Sequence, residues 1–493
     1  MRDWSNAPTI SARMGRQGPE IEGTKAFFAG HRLTNNDGIF AGWNWDGDTL
    51  TVESDRYGLQ PLYYSFDGNC VRLSPSAVAL VRTGECALNE DALAAFLRLG
   101  FFLGDATAFS HIRAIPSGAK MSWREGSLSV SGARPVVPAR EEAERSAIDA
   151  YRCLFEQSIR RRLTAEAVAL PVSGGRDSRH ILLELVKSGH SPQVGLTMRH
   201  ILRHDEDARI AAMLCKRANV QHVIIDGVKD IAEAESAKNL MTDMLCDEHA
   251  WGIPLADYID NHRFPVIYDG IGGDILSAGL FLSPELVALY ESNKLEELGL
   301  ALLKQWSGGE LWIRTVLPPA WYKRLSLDRA LEAVIRELKS VSCYASPLSM
   351  FYFWNRTRRE VALFTLGMMP SRTTIYCPYL DRDLFDYLAS LPVSLTITKS
   401  FHQKTIAEAY PEFADIPYEN PVAKIANLGE KNRRIAWALL KRTLQSIRSE
   451  MVNITVLLRN GIRGAVTGRS EYLWCDPART LYLLQLEKLS SRY

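Results

Sequence analysis

Ala167-Val168-Ala169-Leu170-Pro171-Val172-Ser173-Gly174-Gly175-Arg176-Asp177-Ser178 is the stretch on which the fold turns. A short apolar run reads as a buried parallel strand, and it enters a helix predicted over Arg179 to Lys187 and stopped by Ser188-Gly189. Strand, tight glycine turn and helix in immediate succession form the first unit of a doubly wound sheet. In such a sheet ligands lie beyond the carboxyl ends of the strands, at a topological switch point. The residue types in the turn name the ligand. Two adjacent glycines let the backbone approach a polyphosphate, their N–H groups form an anion nest, and the helix that follows offers its positive end. Ser173 and Ser178 add hydroxyl donors, Arg176 adds a cation, and Asp177 beside phosphate implies a bridging Mg²⁺. No G-x-x-x-x-G-K-[ST] sequence occurs, which argues against P-loop transfer of a γ-phosphate.

Working outward, the same alternation continues. A helix is predicted over Ala143 to Arg162, then strands at Gln193 to Met198, Val220 to Ile225 and Pro265 to Tyr268. Helices are predicted between them over Ala208 to Ala218 and Ile231 to Leu245. Before about residue 135 the grammar is different. Trp43-Asn44-Trp45 passes through Asp46-Gly47 into Thr49 to Val52, and Tyr63 to Phe66 passes through Asp67-Gly68 into Cys70 to Leu73. A third hairpin is predicted at Glu125-Gly126. Glycine takes the positive φ such turns need, so this half reads as antiparallel sheet, with one clear helix from Asp91 to Leu99. Residues 283 to 493 read as mostly helical.

Composition bounds the class. A chain of 493 residues, 46% hydrophobic and 23% charged, is long enough for two or three domains and is neither disordered nor fibrous. Lys and Arg number 58 against 57 Asp and Glu, a net charge of +1, so no global field selects nucleic acid. Locally, Lys424 to Arg469 holds ten Lys/Arg against two Glu, an excess of eight interleaved with apolar residues. That stretch reads as solvated helix faces, or as a surface for an acidic partner. The eight cysteines form no C-x-x-C pair, and no stretch is apolar enough to span a membrane or act as a secretion signal. A soluble, cytoplasmic protein is expected.

Ser173-Gly174-Gly175-Arg176-Asp177-Ser178 resembles the pyrophosphate loop of the N-type ATP pyrophosphatases, the superfamily that includes asparagine synthetase. Tyr268-Asp269-Gly270-Ile271-Gly272-Gly273-Asp274 is similar to the asparagine synthetase segment in which a glycine pair precedes a Mg²⁺-binding Asp. Ile275 stands where that family usually has an acidic residue. Cys377-Pro378-Tyr379-Leu380-Asp381 resembles the Pro-Phe-Leu-Asp block, whose preceding Glu and Arg shape the acceptor site; Thr374 and Tyr376 stand there instead. Ile416 to Lys424 is similar to the stretch before a charge-neutralising lysine, so the resemblance implies Lys424 as the catalytic lysine, with Lys404 as the fallback. Asp205-Glu206-Asp207 matches a family helix start and reads as capping.

The amino-terminal half joins the resemblance through Asp55-Arg56-Tyr57-Gly58-Leu59-Gln60-Pro61-Leu62-Tyr63-Tyr64, which is similar to a block of class II glutamine amidotransferases. Those enzymes use an amino-terminal cysteine. Position 2 is Arg and the first cysteine is Cys70, so no glutaminase activity is expected.

The resemblance implies a degenerate glutaminase-like domain of the Ntn-hydrolase type over residues 1–140, and an ATP-pyrophosphatase domain over 141–493. The function implied is AMP-forming ligation of a small-molecule or peptide carboxylate to ammonia or an amine, with ATP and Mg²⁺ as cofactors. Asp177 and Asp274 are the implied metal ligands. Ser173, Gly174, Gly175, Arg176, Asp177, Ser178, Gly272 and Gly273 are the implied nucleotide contacts. Relatives without the cysteine include β-lactam synthetases and lasso-peptide cyclases, so intramolecular cyclisation is the alternative. A catalytically silent scaffold is a further one. No nucleic-acid partner is expected, and a homodimer is allowed.

Overall fold

The computed structural model describes residues 7–34, 37–81, 87–199, 206–306, 310–419, 428–469 and 477–490. Two antiparallel five-stranded sheets occupy the amino-terminal portion. One orders the strands Gly18–Gly23, Ile10–Gly15, Val71–Ser74, Tyr63–Phe66 and Arg113–Ala114; the other orders Ser127–Ser131, Lys120–Arg124, Leu50–Ser54, Asp37–Trp45 and Ala26–Thr34. All three hairpins expected from the sequence are present. Alternation explains the packing: Leu50, Val52 and Ser54 point inward while Thr51 and Glu53 face out. Ile10, Trp43, Leu73, Met121 and Trp123 form the core between the two sheets. The helix Glu90–Leu99 starts where the Asn89 side chain accepts from the Ala92 amide, and it ends at the left-handed Gly100.

The third sheet carries the site. Its strands Gln221–Asp226, Val194–Arg199, Val168–Pro171, Val266–Tyr268 and Thr374–Tyr376 lie side by side in that order, all parallel. Val168 to Leu170 are buried, as a strand with helices on both faces requires. From Val168–Pro171 the chain winds outward in one direction to the strands ending at Arg199 and Asp226. It then returns past its start to place Val266–Tyr268 on the other side, in register Val168 to Val266 and Ala169 to Ile267. The turns after these two central strands therefore lie next to each other, with a crevice between them. The edge strand Thr374–Tyr376 lies in a region expected to be mostly helical; three residues are too short to show a period.

One continuous buried core runs from Ile39 to Leu486, through both the antiparallel and the parallel sheets. Arg162 ties the same two parts electrostatically: its buried guanidinium donates to both oxygens of Asp37 at 2.9 Å and to Asp381 at 2.9 Å. Among the described residues no helix is long and apolar enough to cross a membrane.

Candidate functional site

A cavity of about 610 Å³ opens at the crevice. The turn Ser173 to Arg176 forms one lip, and the helix Asp177–Lys187 begins there without a side-chain cap. Ser178 Oγ accepts from the Ser173 amide at 3.0 Å and lies 3.1 Å from Ser173 Oγ, which in turn accepts from the Gly175 amide at 3.2 Å. The Gly174 amide donates to the carboxylate of Asp207. Glu206 and Asp207 stand in the first turn of the helix Glu206–Arg217, and Asp207 also reaches into the loop; Asp205, expected at the cap, lies outside the described residues.

Asp269, Gly270, Ile271, Gly272 and Asp274 form the opposite lip, with Gly273 beginning the short helix Gly273–Ser277 that carries Asp274. The two lips touch. The Asp274 amide donates to Asp177 Oδ2 at 3.1 Å, and a β-carbon on Gly273 would fall 2.6 Å from Asp177 Oδ1. Only glycine permits that approach. Asp177 Oδ1 is buried and has no hydrogen-bond partner, a costly state for a carboxylate that receives no compensating ligand. Burial, and then the charge of Asp274, holds the Asp177 carboxyl well above the usual range; burial also raises Asp274 and Asp269. Hard carboxylate oxygens, buried, mutually repelling and in one case bare, suit a divalent cation such as Mg²⁺.

Behind Asp177 lies a shell that no spacing in the sequence announces. His402 Nδ1 approaches Asp177 Oδ1 at 3.4 Å, His180 Nδ1 lies 3.3 Å from His402 Nε2, and the Tyr379 hydroxyl reaches the Asp177 carbonyl at 3.4 Å. Burial, and secondarily Arg176, pushes His402 down to about 3, so it is a neutral imidazole packed beside the carboxylate without a hydrogen bond to it. The cavity's far side comes from a π-helical stretch, Phe353–Val361 and Leu363–Met368, which contributes Arg356, Thr357, Val361, Phe364 and Thr365. Such windings recur at functional sites. Arg356 pairs with Glu248 at 3.0 Å and Glu360 at 3.3 Å, while His249, Trp251 and Phe364 make an aromatic wall with centroids 5.2 to 5.9 Å apart.

The structure brings together Ser173, Gly175, Arg176, Asp177, Ser178, Gly272 and Asp274 on one cavity, with Gly174 and Gly273 in its two turns. Lys424 lies outside the described residues. Lys404 does not line the cavity; its ammonium is bound 2.7 Å from Glu144 on the outer surface. Thr374 and Tyr376 also turn elsewhere. Thr374 lines a second cavity of about 480 Å³ shared with Phe27 to His31, and Tyr376 packs on His31 and Tyr268.

Residues 28–132 match the glutamine amidotransferase domain family. No curated protein matches the chain in sequence. Similar solved structures include the U34-tRNA thiolase of Methanococcus maripaludis with its [4Fe-4S] cluster (10% identity, 67% of this chain and 84% of that one, TM-score 0.26). They also include the NH3-dependent NAD synthetase of Campylobacter jejuni (16%, 39% and 95%, 0.20) and the NMN synthetase of Francisella tularensis (14%, 43% and 93%, 0.20).

Proposed function

We propose that the chain is an ATP-dependent, AMP-forming amide ligase of the asparagine synthetase type. A substrate carboxylate oxygen attacks the α-phosphorus of ATP and the bond to the bridging oxygen breaks. Pyrophosphate departs, leaving an acyl-adenylate. An amine or ammonia then attacks the acyl carbon, AMP leaves with its oxygen, and the nitrogen loses a proton. The observation that carries this reading is Asp177 Oδ1, bare and buried, between the Ser173–Ser178 turn and Asp274.

Within this reading the amides and hydroxyls of Ser173 to Gly175 and Ser178 bind the phosphate oxygens, and Arg176 and Arg356 add fixed positive charge on either side of the cavity. Asp177 and Asp274 would hold Mg²⁺, which supplies neutralisation of the departing pyrophosphate. His402 packs beside Asp177. Lys424 keeps its expected role as the charge-stabilising lysine, on the strength of the sequence resemblance. The aromatic wall of His249, Trp251 and Phe364 takes a planar or apolar part of the ligand. Nitrogen comes from free ammonia or an amine. Cys70 is buried on a hairpin, 3.3 Å from Ser11 Oγ, a setting that suits packing rather than attack on glutamine.

The test is pyrophosphate release from Mg-ATP in the presence of pooled carboxylic acids, with hydroxylamine as trapping amine. Release by the native chain and its loss in Asp177→Ala support the ligase. Undiminished release from Asp177→Ala refutes it, as does ATP binding that ignores Mg²⁺.

A further inference from the structure

The helices Leu428–Leu444 and Ile454–Thr467 form a pair at the carboxy-terminal side, remote in sequence from both lips of the cavity. They run antiparallel: the Asn432 side chain donates to the Gly468 carbonyl at 2.9 Å, while Leu440 packs on Gly461 so closely that a β-carbon there would lie 2.7 Å away. Ala436, Leu440 and Ala465 are the buried seam between them.

One step beyond Ala436, Gly461 and Ala465 stands a large, apolar, exposed residue, and one step beyond Leu440 stands Lys441. Trp437 follows Ala436 and is 65% exposed; Ile462 follows Gly461 at 55%, and Val466 follows Ala465 at 73%. One residue is about 100° of rotation. In an antiparallel pair the two-fold relation carries that same rotation to the same side, so these side chains share one face. Leu444, 59% exposed, extends it seven residues after Trp437. Lys441 and Arg448 flank this stripe on the first helix and its exit, and Arg459 and Arg463 flank it on the second; all four are exposed. The acidic residues between 428 and 469 are Glu430 and Glu450 alone. Glu430 is bound to Arg434 at 2.6 Å.

We propose that this face docks the protein on an anionic lipid surface. Exposed Trp and branched aliphatics interleaved with Lys and Arg are what an interfacial helix presents, the apolar part entering the headgroup boundary and the cations meeting lipid phosphates and carboxylates. Neither helix is long and apolar enough to cross a membrane, so the protein lies on the surface. A second copy would bring the same basic face against itself. A nucleic acid would satisfy the cations and leave Leu444, Ile462 and Val466 in water. The lipid surface answers both halves of the pattern.

The experiment is co-sedimentation of the full chain with vesicles of phosphatidylcholine alone, and of phosphatidylcholine with about a third phosphatidylserine. Binding to the second and not the first, weakened by salt, is the expected result. A Lys441→Glu/Arg463→Glu variant weakens it at least about tenfold, given roughly fivefold per neutralised charge. Val466→Asp, an exposed position that leaves the seam intact, weakens it as well. The proposal is overturned if the protein ignores anionic vesicles or binds both kinds equally. It is equally overturned if both variants bind like the native chain. Two further results overturn it: binding of a single-stranded oligonucleotide without binding of vesicles, and a native dimer that Val466→Asp dissociates.

Discussion

The backbone amide of Asp274 donates to the side chain of Asp177 at 3.1 Å, although the two residues are 97 apart in the chain. That bond closes the crevice between the two central strand ends and places the Asp177 carboxylate against Gly273. A methyl group at 273 would stand 2.6 Å from Asp177 Oδ1 and 2.9 Å from the Tyr379 ring. Gly273→Ala must therefore displace Asp177. We expect Mg²⁺-dependent ATP binding to fall at least about tenfold, with a stability cost of roughly 1–3 kcal/mol from overpacking. Calorimetric titration and a thermal melt of the same variant separate the two effects.

The three site carboxylates of the metal-free protein should contribute less to stability as pH rises. Asp177, Asp269 and Asp274 all have carboxyls raised in the folded state, by burial first. A raised acid binds its proton more tightly when folded, so the stabilisation is complete below the unfolded value of about 3.9 and is lost as pH climbs through the folded one. Asp177→Asn removes one such group, so its Tm should exceed that of the native chain at pH 8 and the gap should shrink at pH 5. A larger gap at pH 5 would contradict the assignment.

Under the proposed function, Asp207 occupies an amide that a phosphate oxygen would otherwise meet. Its carboxylate accepts from Gly174 in the turn, and as an anion it repels the ligand it must yield to. Asp207→Ala is expected to tighten ATP binding a few fold, measured as Kd at saturating Mg²⁺. Weaker binding would mean that Asp207 supports the loop rather than competing within it.

Arg162 is a structural counterpart to these site residues. It is buried between Asp37 and Asp381, and Arg162→Ala would strand the half-buried Asp37 while Asp381 keeps Arg161, at a cost of about 3 kcal/mol. A denaturant titration showing under about 1 kcal/mol would contradict that reading.

Short-range chemistry made much of the architecture legible in the sequence. Asp46-Gly47 and Asp67-Gly68 set hairpins because their turns need glycine, and the run Val168 to Pro171 marks a strand buried on both faces. The same locality made the Ser173–Ser178 turn readable, whereas Asp274 was legible only through a family resemblance. What was not legible depends on contacts across the chain. His402 reaches Asp177 from 225 positions away, and Arg356 enters the cavity on a π-helix that no 3.6-residue period describes. Asp207 looked like a helix cap because capping is the local use of an acidic helix start; its partner, Gly174, belongs to another strand's turn. Lys404, the fallback to Lys424, carries no matching segment of its own and pairs with Glu144.

The unbroken core from Ile39 to Leu486 gives the amino-terminal sheets a duty independent of any chemistry of their own. They share a buried core with the parallel sheet. Trimming the gene to its second half would expose oily surface and leave Arg162 with one carboxylate instead of two, and the shortened product should precipitate before its turnover could be assayed.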